Sequence, residues 1–318
     1  MKAGRILRFS MAVAISVLIA ALPLAGVFGR TIYVDDSAAG ANDGSSWLNA
    51  YNYLQDALAD ANSSGEPVEI RVAEGKYQPD KDSLHPSGTG DREATFRLIS
   101  GVALRGGYAG FGRPDPNTRD VDKYETVLSG DLLGNDSNVS DAWDFAWDPN
   151  RSENCFHVVT AVGTNAGTVL DGFVVTAGKA SGEDDVHWDG GGMFNEDSSI
   201  ELIDCTFLRS DAYDGGAMLN SNSSLNLVNC TFQEHCSWGP GAAISNYGSS
   251  LSLAGCVFVG NFCGQAGGTG AGIHSSESVL TLDGCTFIDN FAYDGGGGVF
   301  NFESEVTVRN SVFRDNWV

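Results

Sequence analysis

Basic residues are scarce in this chain. Of 318 residues, 18 are Lys or Arg and 41 are Asp or Glu, a formal net charge of −23. A surface this acidic repels nucleic acid, anionic lipid and polyanionic sugars unless a cation mediates. Beyond Arg151 the only positive residues are Lys179, Arg209, Arg309 and Arg314, which leaves few candidates for a proton-abstracting base. Charged residues make up 19%, against about 25% in an average domain. The shortage does not signal disorder, because aliphatic and aromatic residues recur at regular intervals. After the first thirty or so residues no apolar run is long enough to cross a bilayer as a helix. No glycine run leads into the Lys-Ser/Thr pair of a phosphate loop. No two cysteines stand in Cys-x-x-Cys spacing, so no zinc or redox motif is supported.

The N-terminus reads as a secretory signal. Lys2, Arg5 and Arg8 precede the uncharged stretch Met11 to Leu24, and Val27-Phe28-Gly29 ends in a small residue. Cleavage after Gly29 is expected and takes the charge from −23 to −26 by removing three bases. An uncleaved anchor is the alternative, but the run is short for a span and no stop-transfer pattern follows. No cysteine stands directly after it for lipid attachment. The expected destination is the exterior or cell surface of a bacterium, including its outer membrane, with no transmembrane span once the signal is removed.

What the chain has in abundance is glycine, 41 residues, and a repeat. The stretches "HWDGGG" (187–192), "AYDGGA" (212–217) and "AYDGGG" (292–297) are versions of one pattern. Each leads to a marker position, and the five markers are Met193, Met218, Ile244, Ile273 and Val299, separated by 25, 26, 29 and 26 residues. Phe207, Phe232, Phe258, Phe287 and Phe313 each follow their marker by 14, so all length variation lies between Phe and the next marker. Two after the marker stand Asn195, Asn220, Asn246, Ser275 and Asn301. Five after, every residue is Ser: Ser198, Ser223, Ser249, Ser278 and Ser304. Seven and nine after, every residue is Ile, Leu or Val, with polar residues between, which is strand alternation with one face buried. Eleven after come Asp204, Asn229, Gly255, Gly284 and Asn310, types that tolerate a left-handed turn. Cys205, Cys230, Cys256, Cys285 and Ser311 then face in, followed by a β-branched residue and the Phe.

Each repeat therefore holds roughly three short strands joined by turns. One repeat cannot bury its apolar face alone, and stacking places like on like at about 4.8 Å per step. The expectation is an all-β parallel β-helix. A leucine-rich horseshoe needs a Leu consensus and a helical segment per repeat, and a propeller needs longer units.

The pairs "GGGM…CTF", "GGAM…CTF", "GAAI…CVF", "GAGI…CTF" and "GGGV…SVF" resemble the Gly-Gly-Ala-Ile and Phe-x-x-Asn repeats of bacterial polymorphic outer-membrane proteins. The Asn of the second motif is present at Asn261, Asn290 and Asn316, while Ser210 and His235 replace it in two coils. Upstream, "TIYVDDSAAGANDGSSWLNAYNYLQDAL", "RVAEGKY", "VALRGGYAGFG", "TVLSGD" and "TVLDGFVVTAGKA" are similar to the opening region of secreted right-handed β-helix proteins of the pectin-lyase-like fold. The resemblance implies architecture. It implies little about activity, because this fold carries both enzymes and adhesins.

The expected organisation is a signal at 1–29, a cap and opening coil at 30–95, and the solenoid from 96 to 318. In the cap, Leu54, Ala57, Leu58 and Ala61 recur with helical spacing, with Ser45 or Ser46 as N-cap and Gly65 as C-cap. The apolar face of this helix is expected to plug the end of the solenoid. The chain stops five residues after Phe313 with no cap in view, so continuation into a longer gene product is expected.

Asp189, Asp214 and Asp294 recur before their markers, and a carboxylate strip from adjacent coils suits Ca²⁺. Asp-Gly is also a favoured turn pair, and the turn reading is the preferred one. Glu183, Asp184, Asp185, His187 and Asp189 crowd an extended loop. In the resembled fold, inverting polygalacturonases use aspartates and a His, and pectate lyases use acid-held Ca²⁺ with a base. Asp184, Asp185, His187 and Asp189 are thus weak catalytic candidates and Asp189 with Asp214 a weak Ca²⁺ site, with Lys179 as the only nearby base. No lyase or hydrolase motif matches residue by residue, and the expectation leans away from catalysis. Cys236 and Cys263 lie in adjacent loops and are expected to form a disulfide after export. The favoured function is a structural or adhesive module contacting a surface polysaccharide or protein. The alternative is a carbohydrate-active lyase or glycosidase acting on an acidic polysaccharide.

Overall fold

The computed structural model describes residues 28–318, apart from residues 66, 138–141 and 182–186 and the side chain of Trp143. The basic and apolar parts of the expected signal lie outside the described residues. From Arg30 onward the chain winds into a parallel β-helix. One coil shows the pattern: strands Met193–Glu196, Ser199–Ile203, Thr206–Leu208 and Asp211–Ala212. The coil has four strands where the sequence suggests three. The fourth is two residues long and sits in the variable loop, too short to show alternation.

Corners separate the strands, and all four corner columns take positive φ. Gly190, Asp197, Asp204 and Arg209 serve in this coil, at φ 69, 49, 49 and 50°. In the next four coils the first corner is always glycine: Gly215, Gly241, Gly270 and Gly296. Gly190, Gly215 and Gly296 are glycines of the "DGG" pattern, while Gly241 and Gly270 follow Pro240 and Thr269; a side chain there would be strained and, at Gly215, 2.4 Å from the Met218 carbonyl. The third corner column holds the Asp, Asn and Gly residues expected to turn. The second and fourth also use Glu277, Glu303, Arg209 and Glu234, types that do not announce a left-handed backbone.

Every strand hydrogen-bonds in parallel to its counterpart in the next coil. The sheets have nine, eight, seven and five strands among the described residues. Register is like on like: Met193, Met218, Ile244, Ile273 and Val299 are successive partners. Phe207, Phe232, Phe258 and Phe287 are fully buried, with ring centroids 5.0, 4.8 and 4.5 Å apart and planes within 6°. Each such pair adds about 0.5–1.5 kcal/mol beyond simple burial.

Polar columns pair in the same way, with Asn195 Oδ1, Asn246 Nδ2 and Ser275 Oγ left over. Asn195 Nδ2 donates to Asn220 Oδ1 at 2.9 Å, inside the core. The serine column caps corners: the Ser198, Ser223, Ser249 and Ser278 N–H groups donate to the next coil's Ser Oγ at 3.1, 2.9, 3.0 and 2.9 Å. Asn290 Nδ2 donates to Asn316 Oδ1, and Asn261 Nδ2 to Asn290 Oδ1, both at 2.8 Å. A fully buried polar group left unpaired costs about 1–3 kcal/mol, so these ladders are what permits polar columns inside the coil.

Helix Leu54–Ser64 covers the first coil. Leu54, Ala57, Leu58 and Ala61 are buried, and Gly65 ends the helix in a left-handed conformation. It packs against strands Arg30–Val34, Val68–Ala73 and Phe96–Arg97, as expected of a plug. The start differs: Tyr53 is the N-cap without a side-chain bond, while Ser45 and Ser46 serve an earlier turn. At the other end, Phe313 stacks on Phe287 at 4.6 Å yet is 46% exposed. No described helix is long and apolar enough to cross a membrane.

The Cys205, Cys230, Cys256 and Cys285 column is a stack of buried free thiols. The expected Cys236–Cys263 disulfide is not formed, and both thiols are free and buried. Register explains it. Cys236 faces Phe262 and Cys263 faces Ser237, so the two are one residue out of step and point to opposite sides of their strands. Cys236 packs with Phe145 and Ala146, and Cys263 with Ala242, Ala271 and Ala292.

Two outcomes are expected. Phe258→Ala opens a hole between two stacked rings and lowers stability by about 3–5 kcal/mol in urea unfolding. A thiol titration of the denatured, unreduced protein counts both Cys236 and Cys263 as free; a mass-mapped bridge between them contradicts the register.

Candidate functional site

The Asp-Gly corner puts two of the three aspartates side by side. Asp189 and Asp214 each stand four residues before their marker and one before the left-handed glycine. The Asp214 N–H donates to Asp189 Oδ1 at 3.1 Å. Tyr247, from the following coil, donates its O–H to Asp214 Oδ2 at 2.7 Å. Asp214 Oδ1 is buried without a donor. Burial is the main reason the Asp214 carboxyl is pushed up to about 7; the Tyr247 bond opposes this and the neighbouring Asp189 adds to it. Asp294 does not join them. It stands five before its marker and accepts the Gly267 N–H from the loop of the preceding coil, away from the other two.

The residue before each of the paired aspartates is an exposed aromatic. Trp188 and Tyr213 are 39% and 49% exposed, with ring centroids 5.7 Å apart. Coil stacking sets this spacing, since the Tyr213 N–H donates to the Trp188 carbonyl. One coil further, Trp238 meets exposed Trp147 at 4.8 Å. Tyr293 is exposed in the corresponding loop of a later coil. A row of aromatics thus borders the carboxylate pair.

Of the other expected site residues, Asp184 and Asp185 lie outside the described residues. His187 stacks on Phe156 at 4.4 Å and stands 6.0 Å from the His157 ring. Lys179, the base expected near the cluster, and Arg209 are both engaged in ion pairs. Lys179 Nζ lies 2.8 Å from Asp211 Oδ2 and donates to the Ala146 carbonyl, and Arg209 pairs with Glu234 at 2.7 Å. Asp211 also takes buried Arg151 at 2.7 Å, so this network clamps the segment around Ala142–Arg151 onto the flank. Two carboxylates at Asp189 and Asp214 fall short of the oxygen set Ca²⁺ takes. Among the described residues, acidic groups that converge as a potential ligand set lie elsewhere, at Asp131, Asp136 and Glu153.

The sequence pattern flags Trp188, Tyr213 and both aspartates, because they repeat. Nothing flags Tyr247, whose column otherwise holds Glu196, Ser221, Ser276 and Phe302. His235, read as a lapse in the Asn motif, keeps the ladder instead: its Nδ1 accepts the Ser210 N–H at 3.1 Å, and burial pulls its pKa down to about 4.

Residues 173–313 match the family model described as "Right handed beta helix region". No curated protein matches the chain. Among solved structures, a rhamnogalacturonan lyase is similar at 11% identity and TM-score 0.46, over 90% of this chain and 68% of that one. The pectate lyase Pel9A is similar at 15% identity and TM-score 0.36, over 89% and 78%.

The shifted histidines and Asp214 give opposite pH dependences. His235, with its folded pKa below 6.5, contributes stability that is full above 6.5 and lost as pH falls towards 4. His274, also pulled down to about 4 by burial, acts in the same direction. Asp214, raised from 3.8 to about 7, favours the folded state below 3.8 and loses that contribution as pH rises through 7. His235→Asn, which restores the ladder residue, is expected to flatten the acid limb by up to about 3 kcal/mol. Asp214→Asn is expected to gain stability at pH 8, not lose it, as measured by urea unfolding across pH.

Proposed function

We propose that the chain is an exported, surface-displayed β-helix module that contacts an uncharged glycan along the flank bearing Trp188 and Tyr213. The observation that carries this reading is the exposed aromatic pair seated beside the Asp189–Asp214 carboxylates. Large aromatic rings on a surface otherwise rich in polar groups suit packing against an apolar face, and sugar rings offer such faces. Adjacent carboxylates accept hydroxyl hydrogen bonds, which orient the ligand. Net charge favours an uncharged polymer over a polyanion. Export rests on the signal-like N-terminus, and the polymorphic outer-membrane-like repeats accord with display at a bacterial surface.

The test is calorimetric titration with soluble uncharged polysaccharides. Trp188→Ala and Tyr213→Ala are each expected to weaken binding by about tenfold, or 1.4 kcal/mol, without lowering the melting temperature. Absence of binding to every such polymer, or wild-type affinity in both variants, overturns the reading.

One observation favours a second reading, a carbohydrate-active enzyme: Asp214 titrates near neutrality beside a second carboxylate, as acid–base chemistry requires. Its weakness is the engagement of Lys179 and Arg209 in ion pairs. Unsaturated products or new reducing ends from polygalacturonate with Ca²⁺, lost in Asp214→Asn, establish it in place of the first.

A further inference from the structure

Between strands Thr126–Ser129 and Val159–Val162 a long segment folds over the flank, carrying the short helix Ala142–Ala146 and the 3-10 turn Pro149–Arg151. Its two ends meet. Asp131, Asp136 and Glu153 bring one carboxylate oxygen each within 4.8 Å of one another. Nearby donors satisfy only part of this set. Asp131 accepts the Gly134 and Asn135 N–H groups on Oδ1, and Lys76 lies 3.2 Å from its Oδ2. Arg151 pairs with Asp136 Oδ2 at 2.9 Å.

Three buried oxygens there have no donor: Asp136 Oδ1, Glu153 Oε1 and Asn154 Oδ1. Asn154 is fully buried, and its Nδ2 donates to Asp136 Oδ2 at 3.1 Å and to the Ala177 carbonyl. Its amide head therefore abuts the cluster with the oxygen unpartnered. Turning the amide over would set oxygen against carboxylate, so the orientation is fixed. One buried acceptor without a donor costs about 1–3 kcal/mol, and more if charged. Two of the three belong to carboxylates that converge, those of Asp136 and Glu153, and the third sits on the amide that touches Asp136, so the cluster calls for a shared positive partner.

We infer that Asp131, Asp136, Glu153 and the Asn154 side-chain oxygen form a Ca²⁺ site that ties the two ends of the 131–154 segment together. An all-oxygen set with no His or Cys selects a hard cation and disfavours zinc. Ligands drawn from loop segments suit the flexible coordination of Ca²⁺ better than the strict octahedron of Mg²⁺. The same segment holds Arg151 against Asp211 and Trp147 against Trp238, so the ion fixes its seat on the flank.

The experiment uses the full chain, stripped with chelator and titrated with CaCl₂ by calorimetry and thermal melting. One Ca²⁺ is expected to bind and raise the melting temperature by several degrees, with a smaller response to equal MgCl₂. Glu153→Gln keeps the shape, loses the charge and is expected to weaken Ca²⁺ by about a hundredfold. Asp136→Asn checks this independently should Glu153→Gln fold poorly. No Ca²⁺ response in the wild-type chain overturns the site. So does a response untouched by both variants but abolished by Asp214→Asn, which places the ion at the other carboxylate pair. Glycan binding and Ca²⁺ binding are read separately, so failure of one leaves the other standing.

Discussion

The whole molecule depends on backbone register from one coil to the next. Each strand finds its hydrogen-bond partner in the same strand one turn away, with no slip from Met193 to Val299 in the marker column. A shift of one residue would turn every side chain to the opposite face. Identical registry is therefore what lets one residue type do one job along a column: Phe stacks on Phe, Asn donates to Asn, and Ser caps the corner below. Side chains and backbone enforce the same answer, which is the consistency expected of a sequence that specifies one fold.

Much of this frame is legible in the sequence alone. The constant 14-residue spacing from marker to Phe and the all-Ser column mark a rigid frame, and the Asp, Asn and Gly column marks a true left-handed corner. The parts that stay hidden do so for a physical reason. Glu277 and Arg209 occupy left-handed corners because the registered coils over-determine their backbone, and their own preference carries no hint of it. The Asp211–Ala212 strand is too brief to show a period. The Cys236–Cys263 expectation fails on a single residue of register, which spacing counted along the chain does not resolve.

The candidate site is half legible. Repetition exposes Asp189, Asp214 and the aromatics before them, and a count back from the marker sets Asp294 one residue apart from both. Tyr247 and the Arg151–Asp211–Lys179 clamp come from distant or singular positions, where no pattern repeats. The same clamp decides a functional question, because it occupies the base that a lyase mechanism would want. The flank thus combines repeated positions, the acids and the rings before them, with singular ones, Tyr247 and the clamp.

The split between a fixed frame and a free loop has a consequence for the molecule's length. Every coil presents the next with the same set of acceptors, donors and apolar columns. Duplicating or deleting one unit of 25 to 29 residues would lengthen or shorten the rod by one step of about 4.8 Å and leave each remaining interface as it was. Rod length is thus a quantity this architecture can change in whole numbers, independently of what any one loop has come to recognise.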